Sequence, residues 1–277
     1  MTNPFEIAFD GATLRGESAG FGLPVVFLHA GVADRRIWAG QMQAVAEAGY
    51  HVISYDRRGF GESESEDVPF SHAVDLEAVL DRLGVNAAVL VGNSLGGGIA
   101  LEFALEHPDR VVALVLIGSA LGGFEGEEYP EEIAELEFLL ERALQRGDIE
   151  QANQIEAHMW LDGPLEEDGR VEGEPRGLFL DMNRRRRHRR PLSQEETADV
   201  PVIEHLDAIK VPTLLLVGEY DYPDVIEAHE VLAEEIEEAF AITLEETAHL
   251  PSLERPDLFD PLLLEFLAAL EGEAADD

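Results

Sequence analysis

The hydrophobic positions of the chain fall into short, nearly continuous runs that are separated by segments with helical spacing. The runs lie at Leu23–Ala30, Tyr50–Asp56, Asn86–Gly92, Val111–Gly118 and Val211–Gly218. A strand that is covered on both faces is apolar along its whole length, whereas a strand with one exposed face alternates. The runs therefore predict a mostly parallel sheet between two layers of helices, and such sheets bind ligands at the carboxyl ends of their strands.

The segments between these runs carry apolar residues at the spacing of an amphipathic helix. The clearest example has Leu76, Val79, Leu80 and Leu83 on one face, and Gly84 follows as a stop signal. Because strands and helices alternate repeatedly, we expect right-handed crossover connections between parallel strands.

This alternation stops near residue 122 and resumes near residue 210. The intervening segment is strongly acidic and has helical spacing without a clear strand. We therefore predict that residues 1–121 form the first part of an α/β core and residues 210–277 the second part. Residues 122–209 are predicted to form a helical cap, or lid, over the strand ends.

The net charge changes the expected partners of the chain. There are 58 Asp and Glu against 19 Lys and Arg, which gives a formal charge of -39. Such self-repulsion weakens a compact state at low salt, and screening relieves it. Few lysines with excess surface carboxylate predict salt adaptation, although an acidic mesophilic protein or a supercharged one has the same composition. We expect no nucleic-acid or membrane partner, and a monomer or salt-dependent homodimer.

The 277 residues include no cysteine, which excludes disulfides, thiolate metal sites and a cysteine nucleophile. The first residues lack a basic segment followed by an apolar core, and no apolar run is long enough to span a bilayer. We therefore expect a cytoplasmic protein.

A serine lies between glycines where one predicted strand ends. The segment Gly92-Asn93-Ser94-Leu95-Gly96 fits G-x-S-x-G, in which a tight strand-to-helix turn exposes the serine and brings the two outer positions together. The glycines fit neither G-x-G-x-x-G nor a phosphate loop with its lysine. A glycine-rich connection without a catalytic role is the alternative interpretation.

A nucleophilic serine needs a base and a group that orients the base. His249 follows the apolar segment Phe240–Leu244, which is predicted to be the last strand, so it should lie at the same sheet edge as Ser94. Asp221 follows the preceding strand and is the first choice for orienting His249. Asp224 is the reserve and is expected to be the N-cap of the next helix. The order Ser, Asp, His on separate loops predicts a nucleophile, an acid and a base.

Acyl transfer also needs two N–H donors for the developing oxyanion. The backbone amides of Gly31, at the end of the first run, and of Leu95, directly after the serine, are the candidates. His29, Trp38 and Trp160 are candidates for a substrate pocket, although ordinary packing explains the two tryptophans equally well.

The segment Arg184–Arg190 places six arginines together in the predicted lid. A basic run indicates phosphate or nucleic-acid binding when it stands alone. Here acidic helices surround it, so we favour ion pairs within the chain over a site for an anionic substrate.

Five of these segments together resemble the α/β-hydrolase superfamily, over essentially the whole length of the chain. They are "HAG" (His29–Gly31, where the family usually has His-Gly-x), "YDRRGFGES" (Tyr55–Ser63), Gly92–Val111, Val217–Asp221 and Ala248–Pro256. The resemblance implies an α/β-hydrolase fold with an eight-stranded, mostly parallel sheet, one antiparallel early strand, and a helical cap between strands six and seven. Serine rather than aspartate at position 94 argues against members that resemble haloalkane dehalogenases or epoxide hydrolases.

The residues and the resemblance together predict a carboxylesterase-like serine hydrolase that acts on small esters through an acyl-enzyme, without a metal or an organic cofactor. A carbon–carbon bond hydrolase or enol-lactonase, a cofactor-free perhydrolase, and a non-catalytic binding member of the fold remain alternatives. The elbow "GNSLGGG" resembles the carbon–carbon hydrolases, but their longer glycine-rich stretch after the first histidine is missing from "HAGVADRR". Ester hydrolysis is therefore favoured, with the lid setting substrate choice.

Overall fold

The computed structural model describes residues 2–126, 128–196 and 201–276, and its centre is a single twisted sheet. The strands are β1 (Asn3–Phe9), β2 (Ala12–Ala19), β3 (Pro24–Leu28), β4 (His51–Asp56), β5 (Glu64–Ser65), β6 (Ala88–Asn93), β7 (Val111–Ile117), β8 (Thr213–Gly218) and β9 (Ala239–Leu244). Eight of them follow the order β1-β2-β4-β3-β6-β7-β8-β9, and the two-residue β5 pairs with β2.

The pairing directions match the predicted fold. Strand β2 runs antiparallel to both β1 and β4, and every pair from β4 to β9 along the sheet is parallel. Strand β2 is therefore the single antiparallel early strand that the resemblance implies. The α/β fold prediction is confirmed, and the small β5 is an addition that the sequence pattern did not indicate.

Nine helices accompany the strands within the described residues. They are α1 (Ala39–Glu47), α2 (His72–Leu83), α3 (Leu95–Glu106), α4 (Glu131–Gln145), α5 (Ile149–Ala157), α6 (Glu174–Arg187), α7 (Pro223–Glu235), α8 (Pro251–Glu254) and α9 (Pro256–Asp276). None of the helices in this part of the chain is long and apolar enough to cross a membrane.

The core consists of two apolar layers, one on each face of the sheet. Along β3, Val26 and Leu28 join one layer, while Val25 and Phe27 join the other. Successive side chains of a strand point to opposite faces, so a strand buried on both faces is apolar at most of its positions. This explains the continuous apolar runs of the sequence, and each fully buried side chain of this kind stabilises the fold by about 1.5–3 kcal/mol.

Helix α2 begins and ends where the sequence predicts. The Ser71 hydroxyl accepts hydrogen bonds from the N–H groups of Ala73 and Val74, at 3.1 and 3.4 Å. Gly84 ends the helix with φ +69°, a backbone conformation that glycine adopts without strain. Its apolar face, which includes Leu76, packs into the core.

The chain between β7 and β8 forms α4, α5, a π-helical turn at His158–Asp162, and α6. Buried amides join α5 to α6: Asn183 Nδ2 donates to Asn153 Oδ1 at 2.9 Å and to Glu156 Oε2 at 2.7 Å. These helices fall within residues 122–209, the segment predicted to be the lid, and we keep the name lid segment for it. The domain limits at residues 121 and 209 remain predictions.

Candidate active site

Ser94 lies on the sharp turn between β6 and α3. Its backbone has φ +55° and ψ -118°, a region that costs a non-glycine residue about 1–3 kcal/mol. The turn is held by the Ser94 N–H, which donates to the Ile117 carbonyl on β7 at 2.8 Å, and by the Ser94 carbonyl, which accepts from Gly97 N at 2.9 Å. The strained backbone therefore places Ser94 at the carboxyl edge of the sheet, where its side chain is half-buried.

The two glycines of the motif are required by close backbone contacts. A Cβ atom on Gly92 would collide with the Gly96 carbonyl, and a Cβ atom on Gly96 would collide with the Leu28 carbonyl on β3. The steric reason given for G-x-S-x-G therefore applies at both positions in this fold.

His249 and Asp221 form a buried pair on the loops that follow β9 and β8. The Nδ1 atom of His249 lies 2.9 Å from each carboxylate oxygen of Asp221, and the two residues are 2% and 5% exposed. The Tyr222 N–H also donates to Asp221 Oδ1, at 2.8 Å. Because β8 and β9 are parallel neighbours, their carboxyl ends bring these loops together.

The reserve residue, Asp224, lies elsewhere. It is inside the first turn of α7, which begins at Pro223 after Tyr222, so its predicted role as the N-cap is wrong. Proline fits the first helical position because it lacks the N–H that would be unpaired there. Burial and the neighbouring Asp224 carboxylate raise the pKa of the Tyr129 hydroxyl.

Asn93 fixes the His249 loop beside the serine turn. Its side-chain amide donates to the Ile117 carbonyl at 2.9 Å and to the His249 carbonyl at 3.1 Å, and it is fully buried. The residue that precedes Ser94 thus holds the backbone of His249. Sequence reasoning missed this role because position 93 is an unspecified position of the motif.

Gly118 is a second residue that sequence reasoning missed. It follows β7 with φ +46°, and a Cβ atom there would lie 2.8 Å from Asp221 Oδ2 and 3.1 Å from His249 Nδ1. Any side chain at this position would therefore displace the Asp–His pair.

Glu254 and Arg170 form what we call the brace. The Glu254 carboxylate accepts hydrogen bonds from Ala248 N at 2.9 Å and Leu250 N at 3.0 Å, the residues on either side of His249. Arg170 Nη2 binds the same carboxylate at 2.6 Å. Burial raises the pKa of Glu254, and these three donors oppose that rise. The brace therefore fixes the loop of His249 from both sides.

Arg170 also connects this loop to the lid segment. Its guanidinium donates to the Leu161 carbonyl at 2.9 Å, the Asp162 carbonyl at 2.6 Å and the Glu246 carbonyl at 3.0 Å. The first two carbonyls belong to the π-helical turn that carries Trp160. One side chain thus joins the turn of Trp160 to the loop of the histidine.

Trp160, a predicted pocket residue, lies beside His249. The two ring centroids are 4.8 Å apart, and the indole stacks on Tyr222 at 4.5 Å with an angle of 25° between the planes. The side chain is half-buried. The lid segment therefore places an aromatic ring, that of Trp160, next to the imidazole of His249.

The two candidate oxyanion donors are neighbours. A Cβ atom on Gly31 would lie 3.8 Å from Leu95 Cδ2, which brings the end of β3 next to the start of α3. Within the part of the chain that is described, neither amide donates a backbone hydrogen bond. Their role as oxyanion donors stays a prediction.

His29 does not line a pocket, which corrects the prediction for this residue. It is fully buried, its Nδ1 lies 2.8 Å from the Ala30 carbonyl, and its Nε2 accepts from the Arg57 N–H at 3.2 Å. Burial, with nearby Arg57, lowers its pKa well below the usual 6.5. A neutral imidazole therefore links the loops after β3 and β4.

Trp38 also has no accessible surface, so the pocket role predicted for it is wrong. Its ring packs against Phe27 and Phe259, with centroids 5.2 and 6.3 Å apart. Ordinary packing, the alternative interpretation, describes its environment.

The arginine run Arg184–Arg190 makes the expected ion pairs with few exceptions. Arg189 donates only to the carbonyls of Gly61 and Ser63 in the described structure. The pairs are Arg184–Glu150 (2.6 Å), Arg185–Asp181 (3.0 Å), Arg186–Glu156 (2.7 Å), Arg187–Glu156 and the more distant Arg190–Asp67 (3.6 Å).

Comparison with known proteins agrees with this geometry. The family model described as alpha/beta hydrolase fold matches residues 24–256. The chain is 40% identical over 124 residues to a 2-hydroxymuconate semialdehyde hydrolase of Pseudomonas sp. (strain CF600). That match covers 42% of this chain and 43% of the relative, so it spans less than half the length of the curated protein.

Two solved structures are similar over nearly the whole chain. The structure of Est816, described as an N-acyl homoserine lactone degrading enzyme, is 30% identical, covers 94% of this chain and 99% of its own, and has a TM-score of 0.65. A thermophilic esterase from Thermogutta terrifontis is 26% identical, covers 97% and 99%, and has a TM-score of 0.75. The chain therefore belongs to the α/β-hydrolase fold family.

Proposed function

We propose that the chain is a serine hydrolase that cleaves carboxylic esters through an acyl-enzyme intermediate. The observation that carries this proposal is the His249–Asp221 pair, with Nδ1 2.9 Å from both carboxylate oxygens, on a loop held by the residue before Ser94. A base that is oriented by an acid and fixed next to a serine on a tight turn is the arrangement that acyl transfer requires.

The proposed reaction begins when His249 takes the proton of the Ser94 hydroxyl as the oxygen attacks the ester carbonyl. Because Asp221 occupies Nδ1, the proton goes to Nε2. The amides of Gly31 and Leu95 hold the oxyanion, and loss of one such donor costs about 3–4 kcal/mol of transition-state stabilisation. His249 then protonates the leaving alkoxide, and water repeats the sequence on the acyl-enzyme.

The lid segment is proposed to set substrate choice. Trp160 lies 4.8 Å from the His249 ring, so groups next to the reacting carbonyl would meet this indole. Loops and insertions on a rigid scaffold commonly carry specificity.

Carbon–carbon bond hydrolysis is the second candidate. It is supported by the 40% identity to the semialdehyde hydrolase, whereas ester or lactone hydrolysis is supported by the two structural relatives, which match nearly the full chain. Both reactions would use the same serine turn and the same Asp–His pair. The wider coverage of the structural relatives favours ester hydrolysis.

A fluorophosphonate probe tests the nucleophile. We expect the wild type to be labelled and the Ser94→Ala variant to remain unlabelled. Ser119→Ala is the matched control, because Ser119 lies on the loop after β7 and its hydroxyl donates to the Ala120 carbonyl at 3.1 Å. Labelling of Ser94→Ala, or no labelling of the wild type at low and molar salt, would contradict the proposal.

A substrate panel separates the two reactions. Nitrophenyl esters of short and long acids are compared with a dienoic diketone under the same salt conditions. We expect the higher kcat/KM on an ester. A clear preference for the diketone would favour carbon–carbon hydrolysis instead.

A further inference from the structure

A strongly basic cavity lies between the lid segment and the core. Its volume is about 240 Å³, and five arginines and one glutamate line it. Such a concentration of positive charge is unexpected in a chain with a net charge of -39. The charged lining residues are Arg58, Arg186, Arg187, Arg189, Arg190 and Glu195.

The carboxylates bound to these arginines do not neutralise them. Arg186 and Arg187 share a single carboxylate, that of Glu156, which is almost fully buried. Arg189 binds two backbone carbonyls and no carboxylate in the described structure. Arg58 is paired with Asp75 and Arg190 with the more distant Asp67, and Glu195 itself lines the cavity. Five lining guanidiniums therefore face four carboxylates, which leaves an excess of one positive charge.

Arg57 adds a buried cation next to this cavity. Its side chain is fully buried, its Nη2 donates to the His29 carbonyl at 2.9 Å, and its Nε and Nη1 have no hydrogen-bond partner within the described residues. Its guanidinium lies 4.6 Å from the centre of the Phe60 ring, and Phe60 lines the cavity. A buried charge with unpaired donors is costly, and an anion bound in the neighbouring cavity would stabilise it electrostatically.

The cavity adjoins the proposed reaction site. Leu95, whose amide is a candidate oxyanion donor, also lines the cavity. Arg57 binds the carbonyl of His29, two residues before Gly31, the other candidate donor. A group bound in this cavity would therefore sit on the same side of the sheet edge as the acyl group on Ser94.

We propose that this cavity binds a carboxylate carried by the ester substrate, so that the preferred substrates are esters with a second, ionised acid group. This proposal rests on the proposed ester hydrolysis. Guanidinium groups bind carboxylates through paired, charge-assisted hydrogen bonds, and the cavity supplies several such groups within a small volume. The acidic surface repels anions at low salt, so the local cations are needed to hold such a substrate.

Matched esters test the proposal. The mono-4-nitrophenyl ester of adipic acid is compared with 4-nitrophenyl hexanoate, which has the same chain length and no second acid, and succinate to suberate monoesters give the preferred length. We expect the best acid ester to exceed its neutral match in kcat/KM by about tenfold or more, as charge-assisted hydrogen bonds allow. The ratio is measured from low to molar potassium chloride.

Two variants and one control locate the effect. Arg187→Gln and Arg57→Met are each expected to reduce the acid-to-neutral ratio at least about fivefold, mainly through KM. Arg57→Met should also keep or raise the melting temperature, because it removes a buried, partly unpaired charge. Arg184→Gln is the control, since Arg184 belongs to the same run but pairs with the exposed Glu150 outside the cavity. Its ratio should equal that of the wild type.

The outcomes separate this proposal from the proposed function. Hydrolysis of neutral esters without preference for acid esters would overturn the carboxylate site and leave ester hydrolysis intact. If no ester is cleaved, binding of adipate is measured by calorimetric titration. Binding to the wild type that is weaker in Arg187→Gln and Arg57→Met would support the carboxylate site. No binding, or the same affinity in the wild type and both variants, would overturn it. Activation of neutral-ester hydrolysis by free adipate would indicate a separate effector site and would overturn the substrate role.

Discussion

Replacing Arg170 by methionine is expected to loosen the His249 loop and its connection to the lid segment. Arg170 holds the Glu254 carboxylate at 2.6 Å, and Glu254 holds the amides on both sides of His249. Methionine keeps the length and the apolar stem of the side chain and removes only the charge and its donors. The perturbation therefore tests the brace with little change in packing.

The size of the effect follows from the burial of the two partners. The Glu254 side chain is 1% exposed and that of Arg170 is 21% exposed. Removing one partner of a buried pair costs about 3–5 kcal/mol, and the partial exposure of Arg170 places the loss near 3 kcal/mol. A domain with about 5–15 kcal/mol of stability remains folded after this loss.

A double-mutant cycle measures the coupling within the brace. We expect Glu254→Gln to cost about 2 kcal/mol, because the amide can accept from only one of the two backbone N–H groups. The double variant should lose about 1–2 kcal/mol less than the sum of the single variants. The control cycle uses the exposed pair Lys210–Glu237, with side chains 62% and 73% exposed, where coupling should stay below about 0.5 kcal/mol.

The free energies of unfolding are measured in denaturant, and the effect on the reaction site is measured as the rate at which fluorophosphonate labels the protein. At a temperature where Arg170→Met is fully folded, we expect its labelling to be about tenfold slower, since loss of positioning affects reaction geometry. A coupling near zero would refute the brace. Lower stability with an unchanged labelling rate would show that the brace does not position His249.

The pH dependence gives a second check on the same pair. Burial raises the folded-state pKa of Glu254 above its unfolded value, so the folded state binds the extra proton and ionisation of Glu254 costs stability as pH rises. Without Arg170 this cost increases. The stability deficit of Arg170→Met should therefore grow from pH 5 to pH 8, and a deficit that is constant with pH would contradict the argument.

Three further predictions concern the site, a buried histidine and the surface. Gly118→Ala should lower kcat/KM by about 100-fold, because its Cβ would lie 2.8 Å from Asp221 Oδ2. Gly147→Ala is the control: this glycine has φ +69° and open space around it, so the substitution should affect only stability. Equal activity of the two variants would contradict this prediction. Burial and two nearby arginines hold the pKa of His72 well below 6.5, so the stability that the neutral imidazole contributes is present above pH 6.5 and is lost on acidification. Below pH 6.5 the free energy of unfolding of His72→Asn should therefore fall more slowly than that of the wild type, by up to about 1.4 kcal/mol per pH unit. Parallel curves for the two proteins would refute this assignment. Melting temperatures should rise from low to molar salt, with any homodimer appearing by size-exclusion chromatography only as salt increases, and a flat melting response would argue against salt adaptation.

Much of the fold could be predicted because its signals are local. Strands buried on both faces are apolar at most positions, and this pattern located β3, β4, β6, β7 and β8 to within two residues at their ends. The apolar residues of β9 located that strand equally well, although most of its side chains are not buried. The first two strands gave a weaker signal, because their residues are partly exposed and less continuously apolar. They were expected only through the family resemblance.

The candidate site could be predicted in part for the same reason. Ser94 was found through glycines whose positions the turn requires, and His249 and Asp221 through their places after parallel strands. The sequence favoured Asp221 over Asp224, which follows the same strand three positions later and lies in the first turn of α7. Only the three-dimensional contacts identified Asp221 as the partner 2.9 Å from His249.

By itself, then, the sequence determined the α/β architecture, the serine turn and the order of the candidate residues, because these depend on periodicity and on steric limits within a few residues. The tertiary structure decided the rest: Asn93, Gly118 and the brace around His249, the burial of Trp38, and the basic cavity. Each of these depends on contacts between residues far apart in the chain, such as Arg170 with Glu254, and no local pattern encodes which distant groups a fold will bring within hydrogen-bonding distance.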